Sequence, residues 1–239
     1  MAGNKGSNKR QSNQMWNSGS GKRSKGRNSG SHSNNRSPTI DETAAAKIFH
    51  EIAEDSDPSV AGMEGICDLC EKLDLNAEED IRVLVLLWKL GSKEKPAQIS
   101  KQEWMSGCNR LQVDSIDKFQ SILPSLDIGF LDRAEFKEFY KFCFKFNLEG
   151  TYRTLDKDMI VALMKMVLTG RIGADRLDTF CTFLESQTSY TRITLDQWAS
   201  FLDFCYECED LSTYDESTSA WPVLIDEYVD YMEEQQKKK

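Results

Sequence analysis

Two histidines are all that this 239-residue chain contains. His32 lies in a Gly/Ser/Asn-rich stretch with almost nothing to bury and His50 on an apolar-periodic segment, and neither has an obvious Cys or Ser partner for nucleophilic catalysis. There is no Gly-rich phosphate loop and no dinucleotide fingerprint. No uninterrupted apolar run is long enough to span a bilayer. The N-terminus lacks the apolar core of a signal peptide, and Ala2 stands where myristoylation needs Gly. Sustained period-two alternation is missing too, so no substantial sheet is expected. These absences argue against an enzyme with its own reaction centre and for a helical binding module.

Acid is absent from residues 1–38, which carry Lys5, Lys9, Arg10, Lys22, Arg23, Lys25, Arg27 and Arg36. The whole chain is −9, so this +8 tail leaves −17 on the remainder. The tail has almost nothing to bury and is expected to be disordered. Its two basic clusters, Lys9-Arg10 and Lys22 to Arg27, resemble a bipartite nuclear import signal and point to the nucleus and cytoplasm; the plainer reading is a solubilising or RNA-grazing tail. The acidic body repels nucleic acid and membrane surfaces and attracts basic proteins. Seven cysteines, an odd number without a secretory address, suggest free thiols in a reducing compartment. Cys67-x-x-Cys70 and Cys205-x-x-Cys208 could mark zinc, but each pair falls within a helical pattern and they are far apart. Small core residues are the simpler reading.

From residue 39 onward, helical periodicity dominates. Thr39-x-x-Glu42 and Asn76-x-x-Glu79 read as helix starts. Asp114 or Ser115 caps a helix ending at Pro124, and Asp132 to Glu135 opens an aromatic-rich one. Further helices are expected near 156–169, 174–185 and 196–210, and Trp88, Trp104, Trp198 and Trp221 fall on apolar stripes.

One frame recurs: Ile99-x-x-x-Glu103-Trp104, Leu131-x-x-x-Glu135-Phe136 and Ile193-x-x-x-Gln197-Trp198. It is the second half of an EF-hand, with the apolar eighth loop residue, the acid at twelve and an aromatic opening the exit helix. The first half, which supplies most of the oxygen ligands, is missing before Ile99 and Leu131. The fold class expected is all-α: two EF-hand-like helical units lacking calcium ligands, behind a disordered basic tail. No metal and no cofactor are expected. The main rival is a calcium-responsive EF-hand-like adaptor, with Asp55, Asp57 and Glu64 as its foothold.

The C-terminal third carries a more specific signal. Ile193 to Trp198, Phe201 to Phe204, Tyr214-Asp215-Glu216 and the run Ala220-Trp221-Pro222-Val223-Leu224-Ile225-Asp226 closely resemble the defective-in-cullin-neddylation (DCN-like) family. Trp88-Lys89, Ser100 to Glu103, Asp114 to Ile116, Glu138 to Phe142 and Val167 to Arg171 keep family order across roughly 40–232. The resemblance implies a potentiating-neddylation domain over 39–235. Its conjugating-enzyme half would be about 39–147 and its cullin half about 148–235. It implies a scaffold-type, non-catalytic ligase component. Such a scaffold holds a cullin–RING-box complex beside a conjugating enzyme charged with a ubiquitin-like modifier, and forms no covalent intermediate itself.

The family's Asp–Ala–Asp patch for the cullin C-terminal domain falls on Asp196, Ala220 and Asp226. Taken alone, Asp196 reads as a helix N-cap and Asp226 as part of a solvated face. The family's pocket for the acetylated N-terminal methionine of the conjugating enzyme falls on Met63, Ile66, Val83, Leu84, Leu86, Leu90, Ile99, Phe146, Leu163 and Met166. All are apolar, as a thioether pocket or a plain core requires. The loop Gly91–Gln98 is about one residue longer than in well-known members; Pro96 falls near their acetyl-binding Gln, and Gln98 is the remaining donor. The basic tail replaces the ubiquitin-binding domain of some members, so no ubiquitin binding by that route is expected. The chain is expected to be a monomer.

Overall fold

The computed structural model describes residues 40–211, 214–215 and 220–237. The basic tail, its import-like clusters, Thr39 and Glu216 lie outside them. The described residues fold into helices joined by four very short strands. In order these are α1 (Glu42–Ile52), β1 (Val60–Ala61), α2 (Met63–Lys72), α3 (Ile81–Leu90), β2 (Ile99–Ser100), α4 (Lys101–Leu111), α5 (Ile116–Ile122), α6 (Arg133–Phe146), β3 (Thr154–Asp156), α7 (Lys157–Leu168), α8 (Ala174–Ser186), β4 (Arg192–Thr194), α9 (Leu195–Glu207) and α10 (Val223–Lys237). Two 3₁₀ turns, Leu123–Leu126 and Ile128–Phe130, link α5 to α6.

The strands reveal a duplicated unit. β1 and β2 pair antiparallel, with Ala61 opposite Ile99; β3 and β4 pair antiparallel, with Leu155 opposite Ile193. Each pair joins two helix–loop–helix segments through their eighth loop positions, as paired EF-hands do. The exit helices repeat the arrangement. The Trp104 indole N–H of α4 donates to the Ala45 carbonyl of α1 at 3.0 Å, and that of Trp198 in α9 donates to the Tyr140 carbonyl of α6 at 2.9 Å. Both indoles are fully buried. The third frame does not belong to this pattern. Leu131 follows a 3₁₀ turn and has no strand opposite it among the described residues, so the acid and aromatic there form the capping box and first core turn of α6, with Glu135 also pairing with Lys89.

The twelfth loop positions, where an EF-hand places its acidic ligand, depart from that pattern. Counted from the paired strands they are Gly65, Glu103, Met159 and Gln197. Only Glu103 carries a charge. Its carboxylate accepts from the backbone N–H groups of Lys93 (2.7 Å), Glu94 (2.8 Å) and Ser100 (2.9 Å). Loop amides thus occupy the carboxylate that a cation would otherwise claim. Burial alone would raise its pKa, but those amides and the Ser100 hydroxyl outweigh that and hold it below the ordinary range. Because the folded pKa is the lower one, this stabilisation is complete above the ordinary value of 4.5 and disappears as pH falls through the folded value. Amide exchange at Lys93 and Glu94 should therefore accelerate selectively in that acidic window. Glu103→Ala should abolish the pH step and cost about 3 kcal/mol, since hydrogen bonds to an ionised group are among the stronger ones.

Two helix starts differ from the sequence expectation, and a third settles between the two residues it offered. Asp41 caps α1, accepting from the Thr43 and Ala44 N–H groups, rather than Thr39. Asp80 caps α3, accepting from the N–H of Arg82; Asn76 instead holds a preceding turn by accepting from Glu78. Ser115 caps α5, while Asp114 is buried, accepting from the Asp41 N–H and pairing with Lys118. The short polar side chain nearest each true start wins the capping role. Of the seven cysteines only Cys67 is exposed. The two CxxC pairs do not converge: among the described residues no three His, Cys, Asp or Glu side chains could hold a metal ion.

Candidate functional site

Asp196 lies in the first turn of α9, but it does not cap that helix. Thr194 does, accepting from the Gln197 N–H at 3.2 Å while Gln197 returns a bond to the Thr194 N–H at 2.9 Å. Asp196 is left exposed and makes no hydrogen bond or ion pair among the described residues. Ala220 is also exposed, and two residues, Trp221 and Pro222, separate it from α10. Asp226 occupies the first turn of α10, is half-buried and accepts a hydrogen bond from the Tyr214 hydroxyl. A carboxylate held this way is a fixed acceptor, not part of a freely solvated face.

Aromatic packing sets these positions. α10 lies against α8 and α9, with Leu224, Ile225 and Tyr228 buried. Phe204 of α9 meets Tyr214, Trp221 and Tyr228 edge-on, with centroids 5.8, 6.1 and 6.1 Å away. Trp221 is only partly buried, so it shields the start of α10 rather than filling the core. Tyr190, on the approach to β4, reaches the same helix start. Burial, a hydrogen bond to Glu227 and the charges of Glu227 and Asp226 push its pKa up to about 12. The loop before α9 and the first turn of α10 are therefore neighbours. Sequence reasoning had not assigned these two tyrosines; the Tyr214-Asp215 motif was the one available signal.

The ten apolar pocket positions fall mostly in the core. Ile66, Val83, Leu84, Leu86, Leu90, Ile99, Phe146, Leu163 are buried and Met166 is partly so, while Met63 is 50% exposed at the start of α2. Phe146 also borders a separate opening, a cavity of 810 Å³ between the end of α3, the loop 91–96, α6 and the start of α9. Trp88, Phe142, Phe144, Leu148 and Leu195 add apolar walls to it, and Lys93, Lys95, Lys145 and Arg153 contribute cations. Pro96 lies on its edge; Gln98 does not, and its carbonyl accepts from the Ser92 hydroxyl at 2.7 Å.

The chain's relatives agree in kind. Residues 118–231 match the family described as Cullin binding. DCN1-like protein 3 of Drosophila melanogaster is 32% identical over 187 residues, covering 78% of this chain and 54% of that protein. Human DCN1-like protein 4 is 35% identical over 189 residues, covering 79% and 62%. DCN1-like protein 5 of Mus musculus is 36% identical over 184 residues, covering 77% and 74%. The chain thus spans between about half and three-quarters of the length of these relatives.

Proposed function

From the membership of this chain in the DCN1-like family, we propose that it is a non-catalytic scaffold in cullin neddylation. In this reading it grips the C-terminal domain of a cullin bound to its RING-box protein. It also holds a modifier-charged conjugating enzyme by that enzyme's acetylated N-terminus. The modifier passes directly to a cullin lysine. The scaffold contributes effective concentration and orientation, and the thioester bond that breaks is already on its partner.

One observation carries the cullin half of this reading. Asp196 keeps an exposed carboxylate with no partner among the described residues, although Thr194 supplies the capping. With Asp226 fixed by Tyr214 and a small exposed Ala220, it forms an acidic surface suited to charge-assisted hydrogen bonds from a basic partner. Six of the seven thiols are poorly suited to carrying the modifier: burial pushes Cys108 and Cys205 up to about 12 and raises Cys70, Cys143, Cys181 and Cys208 as well, which leaves the exposed Cys67 as the one accessible thiol. The conjugating-enzyme half rests on the ten apolar positions from Met63 to Met166, and residence in nucleus and cytoplasm rests on the basic clusters. Sedimentation of the chain with a cullin–RING-box complex and the conjugating enzyme tests the arrangement. A three-part species is expected with the acetylated enzyme; two partners that displace one another would refute it.

A further inference from the structure

Most cations of this acidic domain are engaged. Lys72, Arg82, Lys89, Lys118, Lys137, Lys141, Lys165, Arg192 and Lys237 pair with carboxylates. Arg110, Lys157, Arg171 and Arg176 donate to backbone carbonyls, and Arg133 lies over the Tyr206 ring. Six cationic side chains have no such partner among the described residues: Lys47, Lys93, Lys95, Lys101, Lys145 and Arg153. Four of the six, Lys93, Lys95, Lys145 and Arg153, line the one 810 Å³ cavity. They come from two separated segments of chain, and all four are exposed. The single acid on that lining, Glu138, is already engaged by Lys141 at 3.7 Å.

This clustering has a cost that the fold offsets only in part, through the Asp57 carboxylate that feels the charge of Lys95. Like charges around one concave opening repel, and low-dielectric walls focus their field into the cavity. Those walls include Trp88 and Phe142, which give an apolar floor beneath the charged rim. Such an opening selects a ligand carrying negative charge outside and a bulky apolar group inside. A basic tail would be repelled by it, and a purely ionic ligand would leave the floor unused.

We propose that this cavity is a docking site for an acidic peptide segment of a partner protein, anchored by one aromatic or large aliphatic side chain. The anchor fills the floor over Trp88 and Phe142, and flanking Asp or Glu residues meet Lys93, Lys95, Lys145 and Arg153. The site is distinct from the acidic surface of Asp196 and Asp226 in charge and in partner; it borders the proposed conjugating-enzyme pocket at Phe146 and Pro96, and its test is therefore placed on Lys145 and Arg153, which are not among the ten pocket positions.

The test uses the full chain and a fluorescein-labelled peptide, Glu-Asp-Glu-Leu-Phe-Glu-Asp-Glu. Residues 1–38 also carry eight cations, so the cavity is read through backbone amide NMR shifts and a matched variant. Expected are shifts at residues 93–96 and 145–153, at least tenfold weaker anisotropy binding by Lys145→Glu with Arg153→Glu, and a similar loss when the peptide Phe becomes Ala. That variant should keep the wild-type circular dichroism spectrum, since both side chains are exposed. Shifts confined to residues 1–38, equal binding by the double variant, or equal binding of the Ala peptide or of inorganic polyphosphate at the same amides would overturn the proposal.

Discussion

Asp196→Ala combined with Asp226→Ala should eliminate capture of a cullin C-terminal domain while leaving the helical spectrum intact. Both carboxylates lie at helix starts where neither holds the fold together: Thr194 caps α9, and Asp226 bonds only the side chain of Tyr214 among the described contacts. In the proposed reading each accepts a hydrogen bond from a basic partner, worth about 1.5–3 kcal/mol when well paired. Losing both should raise the dissociation constant by roughly two to four orders of magnitude. Tyr214→Phe should weaken binding less, because it frees the Asp226 carboxylate without removing its charge. Affinity of the wild type should fall as salt rises, since exposed charges are screened within about 8–10 Å at physiological ionic strength. The measurement is calorimetric titration of each variant at two salt concentrations. Wild-type affinity in the double variant would reject the acidic surface as the cullin site.

The second large effect concerns folding. Gly65→Ala should destabilise the domain by about 3 kcal/mol or more, at the upper end of overpacking costs. A Cβ at Gly65 would stand 1.8 Å from the Ile52 carbonyl oxygen and 2.8 Å from its carbon. That carbonyl cannot easily retreat. Ile52 is itself buried at the end of α1, and the turn beyond it is tied by the Glu54 N–H donating to the Val60 carbonyl at 2.8 Å. The close approach is what lets α1 and α2 cross, and it places glycine where an EF-hand has its twelfth-position acid. Gly173→Ala is the matched control: nothing lies within 4 Å of its Cβ, and its φ of −59° is ordinary. Gly173 is the N-cap of α8, where alanine is disfavoured, so this variant should lose only about 1 kcal/mol, well short of Gly65→Ala. Urea unfolding of the two variants reads the difference. Equal stability would mean that the α1–α2 crossing is looser than the geometry requires.

Much of this fold was legible because its signals are local. The Ile99 and Ile193 frames became β2 and β4, their Trp residues became the two buried indoles, and the Asp132 box became the start of α6. The partner strands were not legible. After Ala61 and Leu155 the acid–aromatic signature is replaced by Gly65-Ile66 and Met159-Ile160, so nothing in the sequence distinguishes them as the same element. Leu131 carried the signature without the strand, because a frame of two residues cannot encode what lies opposite it. The helix starts at Asp41 and Asp80 lie two and four residues beyond Thr39 and Asn76 for a similar reason: several polar residues compete to cap, and tertiary contacts decide.

The site divides in the same way. Asp196, Ala220 and Asp226 could be located from the family pattern, but their state could not. That Thr194 releases Asp196 from capping, and that Tyr214 and Tyr190 reach the start of α10, depends on packing between segments. The basic cavity was invisible altogether. Its lysines look like ordinary surface charge in sequence, and only the fold gathers residues 93–95 with residues 145–153 over an aromatic floor.

The central claim is that this chain speeds modifier transfer without carrying the modifier. The most direct test is the initial rate of modifier attachment in a reconstituted mixture of cullin–RING-box complex and pre-charged conjugating enzyme, with and without the chain. The account predicts a rise of about tenfold or more at limiting partner concentrations, with no modifier attached to the chain on a non-reducing gel. A rate unchanged by the chain, or a covalent adduct on one of its cysteines, would contradict it.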